Sequence, residues 1–340
     1  MTKIPAVPTD IWSNLYDAAL QFQKLAPWKF MADQELFAVH DAETGETGYA
    51  CVLGAGGTVF ALCLYRGAEG FDAHRRMQAG ELTEESDDCL TAQNCLMASF
   101  EDRENLDKSD LAVATALGLK FRGAKAWPMF RSHLPGYLPW MLTAEEALFL
   151  TEALMCARVV AKKIECGLDL HARPGHVVTY VLRDGGNFEE SWEPHPVYRP
   201  QPLPPLEMNA DMIARAKAKA DKRDGPWEAD AFYVPTPIGD KARPYFPRMA
   251  LAVHQPSGCV FPPTLGSPED SPHQLLAQAL LATVTGTGAL PSEVRVKNAE
   301  LAQALAPLGA ALGVPVVKKR LAALEEARES MLEAMSRGRL

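Results

Sequence analysis

LKFRGAKAWPMFRSHLPGYLPWML, residues 119–142, holds five aromatic side chains (Phe121, Trp127, Phe130, Tyr137 and Trp140), four bases (Lys120, Arg122, Lys125 and Arg131), three prolines and no acid. Pro128, Pro135 and Pro139 each lack an N–H and push the residue before them into extended geometry, so no continuous helix crosses the stretch. Strands and turns must carry it, with Pro135-Gly136 as the natural turn. Rings bury more area than any other side chain, so such a run is either a core or a docking surface.

The residues just upstream have the opposite charge. Glu81 to Asp110 contains ten acids against Arg103 and Lys108, a local net of −8. Two readings follow. In the functional one, Lys120, Arg122 and Arg131 grip an anionic ligand or partner, while Trp127, Phe130, Tyr137 and Trp140 offer ring faces. In the architectural one, the rings fill a core and the bases pair with the neighbouring acids, which a local +4 facing −8 explains equally well.

Working outward, Asp10 caps a first helix with Trp12, Leu15, Ala19 and Phe22 at helical spacing. Strands follow at Leu36–Asp41, Tyr49–Leu53 and Thr58–Tyr65, then a short helix over Phe71–Gln78. Cys95–Phe100 reads as a strand, and Asp107 or Ser109 opens a helix ending at Gly118. After the aromatic-basic stretch, Thr143 and Glu146 form a capping box for a helix to about Glu165. A hairpin, His176–Leu182 with Asn187–Trp192, completes an α+β domain with an antiparallel sheet over residues 1–192.

Glu193 to Leu206 carries six prolines in fourteen residues, an extended linker. With the polar helix Asn209–Arg223, read as a solvated connector, it spans 193–225. The remainder, 226–340, alternates strands (Met249–His254, Cys259–Leu265, Glu293–Lys297, Val314–Lys318) with helices, one broken at Pro307. This predicts an α/β domain with a mixed sheet.

The 340 residues are 47% hydrophobic with a net charge of −9, so the surface as a whole does not attract a polyanion and any nucleic-acid contact must be local. Seven cysteines without a C-x-x-C pair read as reduced thiols. The start lacks the pattern of a signal peptide, and no apolar run approaches membrane-spanning length. The expectation is a cytoplasmic protein without a membrane partner.

Catalytic patterns are sparse. Gly54-Ala55-Gly56-Gly57 follows a strand, but Thr58–Leu62 continues as a strand, so it is a hairpin turn rather than a dinucleotide loop. Cys166, His171 and His176 approach zinc-ligand spacing on a Pro-Gly loop without a convincing fourth ligand. There is no G-x-S-x-G, P-loop or H-E-x-x-H. Glu101 and Asp102 are adjacent in a strand and point to opposite faces, so they form no dyad. No cofactor or metal is expected.

FEDRENL (100–106), KFRG (120–123), WPMFRSHLPGYLPW (127–140), LTAEEALFLTEAL (142–154) and LFAVHDAETGETGYACVLGAGG (36–57) resemble an uncharacterised family of bacterial proteins, a domain of unknown function commonly followed by a second one that residues 244–335 resemble. The resemblance covers most of residues 10–165. It implies two domains and a bacterial cytoplasmic origin, and no activity. The C-terminal strand and helix order is also similar to ribonuclease H-like folds, an analogy of topology. With Met249–His254 as first strand, that fold's metal-binding carboxylates are missing. The expected function is a non-enzymatic binding or adaptor protein whose site is the aromatic-basic stretch. The alternative is a metal-dependent hydrolase acting on phosphodiesters through Glu101, Asp102 or the acidic segment. A third is a partner docked on Leu321, Leu324, Met331 and Met335 of the last helix.

Overall fold

The computed structural model describes residues 7–82, 92–239 and 243–336. Glu84, Glu85, Asp87, Asp88 and Cys89 of the acidic segment lie outside the described residues. The chain forms two compact units, Met1–Pro200 with Asp240–Arg243, and Gln201–Gly239 with Pro244–Leu340.

In the first unit, α1 (Thr9–Leu25) begins one residue before Asp10, which lies in the first turn rather than capping it. A meander follows: β1 (Phe37–His40), β2 (Thr47–Leu53), β3 (Ala61–Arg66), β4 (Cys95–Glu101) and β5 (Trp127–His133), with α2 (Gly67–Gln78) after β3 and α3 (Lys108–Ala116) after β4. The β1–β2 turn is fixed by Asp41, whose Oδ1 accepts from the N–H groups of Glu43 and Thr44 at 2.8 and 3.3 Å. α4 (Ala144–Glu165) carries the capping box on Thr143 and Glu146. It returns the chain to β6 (His176–Arg183) and β7 (Asn187–Pro194).

The sheet order is β5-β4-β3-β2-β1-β6-β7. β6 lies parallel to β1, so the expected antiparallel sheet is mixed at this pairing. The cause is α4: a long crossover helix sets the following strand down in the direction of the one it joins. α1 and α4 pack on one face, where Leu15, Phe22, Phe37, Leu62, Leu64, Leu150 and Tyr180 form the main core. The other face carries the shorter α2 over β2 and β3, with Tyr49, Cys51, Cys63, Tyr65, Phe71, Cys95 and Val177 beneath it. A single three-turn helix cannot cover that face, and the sheet beyond it is left concave.

In the second unit, α5 (Ala210–Lys219) and β8 (Lys222–Asp224) precede β9 (Trp227–Tyr233), β10 (Arg248–His254), β11 (Cys259–Val260) and β12 (Thr264–Gly266). Then come α6 (Pro272–Thr287), β13 (Ala289–Pro291), β14 (Val294–Val296), α7 (Ala299–Leu312), β15 (Val316–Lys318) and α8 (Ala322–Ser336). The main sheet runs β11-β10-β9-β14-β15: β9, β10 and β11 are antiparallel, and β14 and β15 join parallel. Three expectations need correction. The first strand of this sheet is β9, ahead of the expected Met249–His254, which is β10. The segment 209–223 is no solvated connector, since Ala216 is buried with Met212 and Ile213 packed against the core, and β8 pairs with β13. α7 runs unbroken through Pro307, because Leu301, Leu305, Leu308 and Leu312 bury one stripe across both halves.

Candidate functional site

The aromatic-basic stretch is divided by its own strand. Phe130 enters the core edge-on to Tyr16 at 5.0 Å. Arg131 is 8% exposed, and its guanidinium grips Asp110 through two 2.7 Å hydrogen bonds and Asp107 through a third at 3.1 Å. Burial alone would lower the arginine's pKa, but the two carboxylates more than offset it and the net shift is upward. Lys125 reaches Glu101 at 3.1 Å, and its backbone N–H donates to Asp102 at 2.8 Å. The described part of the acidic segment thus neutralises two of the four bases.

The half-buried members are held by neighbours. Trp127 lies edge-on to Phe121 at 5.2 Å, with Arg103 over its ring. Trp140 exchanges two backbone hydrogen bonds with Ser132, and Tyr137 lies under the guanidinium of Arg243, itself part of the first unit. Lys120 and Arg122 are exposed. Of the expected ligand-binding residues, Phe130 and Arg131 face inward, Lys120 and Arg122 face solvent, and Trp127, Tyr137 and Trp140 lie between.

His133 closes the strand in a cationic interior. Burial first, then Arg243 and Arg131, push its pKa down to about 4. A histidine held neutral contributes stability above its unfolded pKa of about 6.5, and that contribution is lost as pH falls from there toward 4. Glu152 acts in the opposite sense: burial, then Asp41, raise it to about 7, so its contribution is full below the ordinary carboxylate range and fades as pH rises through 7. Because the two groups oppose each other between pH 7 and pH 4.5, the expected result in urea unfolding is a relative one: His133→Leu should gain stability against the native chain as pH falls to 4.5. An equal change in both chains would remove His133 as a cause.

The concave face offers a different site. A cavity of about 640 Å³ lies beside α2, between its last turn, the start of β1, the loop 170–176 and the end of β7. Its floor includes Leu36, Phe71, Leu170 and Val177, and its walls Arg75, Arg173 and four histidines: His74, His171, His176 and His195. No carboxylate is among the described residues that line it.

Its walls are built by local geometry. Arg173-Pro174-Gly175-His176 is a tight turn closed by the His176 N–H on the Arg173 carbonyl at 3.1 Å, with Gly175 at φ +74°. His195 is fastened to that turn twice. Its N–H donates to Gly175 O at 2.8 Å and its Nε2 bonds His176 O at 3.0 Å, which sets its ring 5.1 Å from Phe71. His74 is buried, and burial lowers its pKa. Its Nε2 donates to Asp33 O at 3.1 Å, so Nδ1 is the bare nitrogen of a neutral ring and has no partner.

The loop 170–176 was visible in the sequence, weighed only as a zinc site. Among the described residues no three His, Cys, Asp or Glu side chains are grouped to hold a metal ion. The surer signal was a run with Arg and two His but no acid after Asp169, in a chain of net charge −9. Phe71, Arg75 and His195 had no sequence signal, since only the fold brings them to it.

A buried acidic pair was also missed. Glu228 and Asp230 on β9 are 1% and 6% exposed and share the face under α8. Glu228 accepts the Leu324 N–H at 3.0 Å and lies 3.8 Å from Arg295. Asp230 meets Lys297 at 3.1 Å, and burial raises its pKa against that lysine's pull.

The chain is therefore a two-domain protein of mixed α/β architecture, with a ligand-sized concavity in its first domain. Residues 12–179 match the model of a domain of unknown function, DUF7309, and residues 212–332 match that of another, DUF6930. The chain carries these two family domains in tandem. No curated protein matches it. No described helix is long and apolar enough to cross a membrane.

Proposed function

We propose that this is a cytoplasmic, non-enzymatic binding protein whose first domain receives an anionic ligand in the groove beside α2. The observation that carries the reading is a ligand-sized cavity walled by two arginines and four histidines, with no carboxylate among its described lining residues, in an acidic chain. An anion there meets two guanidinium groups. The aromatic-basic stretch is then chiefly the frame of the domain, with exposed Lys120 and Arg122 left as an outer contact for a partner. In thermal unfolding of the full chain with a panel of phosphates, sulfates and carboxylates, one class should raise Tm by several degrees at about 100-fold its Kd. Arg75→Ala with Arg173→Ala should abolish the rise. No shift with any anion would remove the reading.

Glu228 and Asp230 give the hydrolase alternative its one support: carboxylates on the first strand of the second sheet, which the ribonuclease H-like analogy requires. Against it, Arg295 on β14 and Lys297 just after it already occupy them, and Glu228 also holds the α8 backbone. Turnover of a phosphodiester with Mg²⁺ or Mn²⁺, abolished by Asp230→Asn, would reverse this ranking.

A further inference from the structure

We infer, resting on the anion-binding reading above, that the ligand of the groove beside α2 is a nucleoside phosphate. The groove separates two chemistries. Its floor is short and carries rings, with Phe71 buried among Tyr49 and Val177 and the His195 ring beside it. Phe71 itself is 2% exposed, so a flat heterocycle stacks on the exposed His195 ring that Phe71 backs, and needs no enclosed tunnel.

The walls supply what a nucleotide has besides its ring. Arg75 on α2 and Arg173 on the opposite turn are exposed, the latter with its guanidinium over the Trp192 ring at 5.2 Å, and a guanidinium fork matches two phosphate oxygens. Gln34 adds an amide group, which both donates and accepts, as the edge of a base requires, while the Gln78 amide already donates to Asp33 at 3.3 Å. The volume, about 640 Å³, is in the range of sites that bury a ligand of this size. A fatty carboxylate fits less well: its single anionic group would leave one arginine without an anion. Inorganic phosphate would leave the exposed His195 ring uncovered.

The experiment is calorimetric titration of the full chain at low salt with AMP, GMP, ATP and GTP, alongside adenosine, guanosine, inorganic phosphate and decanoate. At least one nucleotide should bind tenfold or more tightly than its nucleoside and than phosphate. Arg75→Ala and Arg173→Ala should each weaken that nucleotide about tenfold without moving the ligand-free Tm. His195→Ala should weaken the nucleotide several-fold more than it weakens phosphate. If phosphate binds as tightly as every nucleotide, or decanoate binds tighter, the nucleotide assignment falls while an anion-binding groove stands. If none of the probes binds, both fall. Nucleotide binding indifferent to both arginine variants would place the ligand elsewhere and overturn the inference.

Discussion

Asp110→Ala is expected to destabilise the first domain by about 3 kcal/mol, measured as the shift in its urea unfolding transition. Asp110 is 4% exposed and takes both outer nitrogens of Arg131, which is 8% exposed. Removing the carboxylate strands a guanidinium where water cannot replace the lost bonds. Asp107 keeps a 3.1 Å contact but is itself mostly exposed, which places the loss near the lower end of the range for broken buried pairs. The same side chain shapes the entry of α3, since the Asp107 N–H donates to Asp110 at 2.9 Å. The double replacement Asp110→Leu with Arg131→Met should recover most of the stability, because two apolar side chains need no desolvated partner. A single variant within about 0.5 kcal/mol of the native chain would mean that Arg131 finds water or another acid without difficulty.

Glu228→Ala should cost the second domain about 2–3 kcal/mol and loosen α8 selectively. One oxygen of Glu228 accepts the N–H of Leu324, in the first turn of α8, at 3.0 Å. The side chain is 1% exposed, so its loss leaves that donor unpaired against the sheet. Leu321 and Leu324 pack beside Phe232 and Leu251, with Met331 and Met335 at the cluster's rim. These contacts depend on how the helix start is held. Amide exchange should therefore rise along α8 well before it rises in β10. Glu228→Gln, which keeps an acceptor, should lose about half as much. Unchanged exchange in α8 would show the helix is held by its apolar face alone.

Several elements were legible because their causes are local. Proline spacing forbade a helix over 119–142, and the turn at Pro135-Gly136 is there, closed by the Tyr137 N–H on Leu134 O at 3.0 Å. Thr143 and Glu146 announced α4, and the charge contrast flanking the stretch anticipated the Arg131–Asp110 pair. What escaped has distant causes. Glu228 and Asp230 lie in 225–247, a stretch rich in turn residues, and acids at alternate positions suit solvent. They are buried because Arg295 and Lys297 arrive with a strand that pairs with theirs only after α6 has crossed. The groove escaped for the same reason. Its walls come from four separate parts of the first domain, and no window of sequence contains more than one of them.

The parallel seam between β1 and β6 has a practical corollary. Residue 179, where the first family model stops, falls inside β6 and ahead of β7. A fragment ending there would lose the hairpin that shields this side of the sheet, together with His195. Its raw border would present unmet N–H and C=O groups to the next molecule, an invitation to stack strand upon strand. The first domain therefore has to be taken through at least His195 if its sheet is to keep β7 on its border and its groove intact.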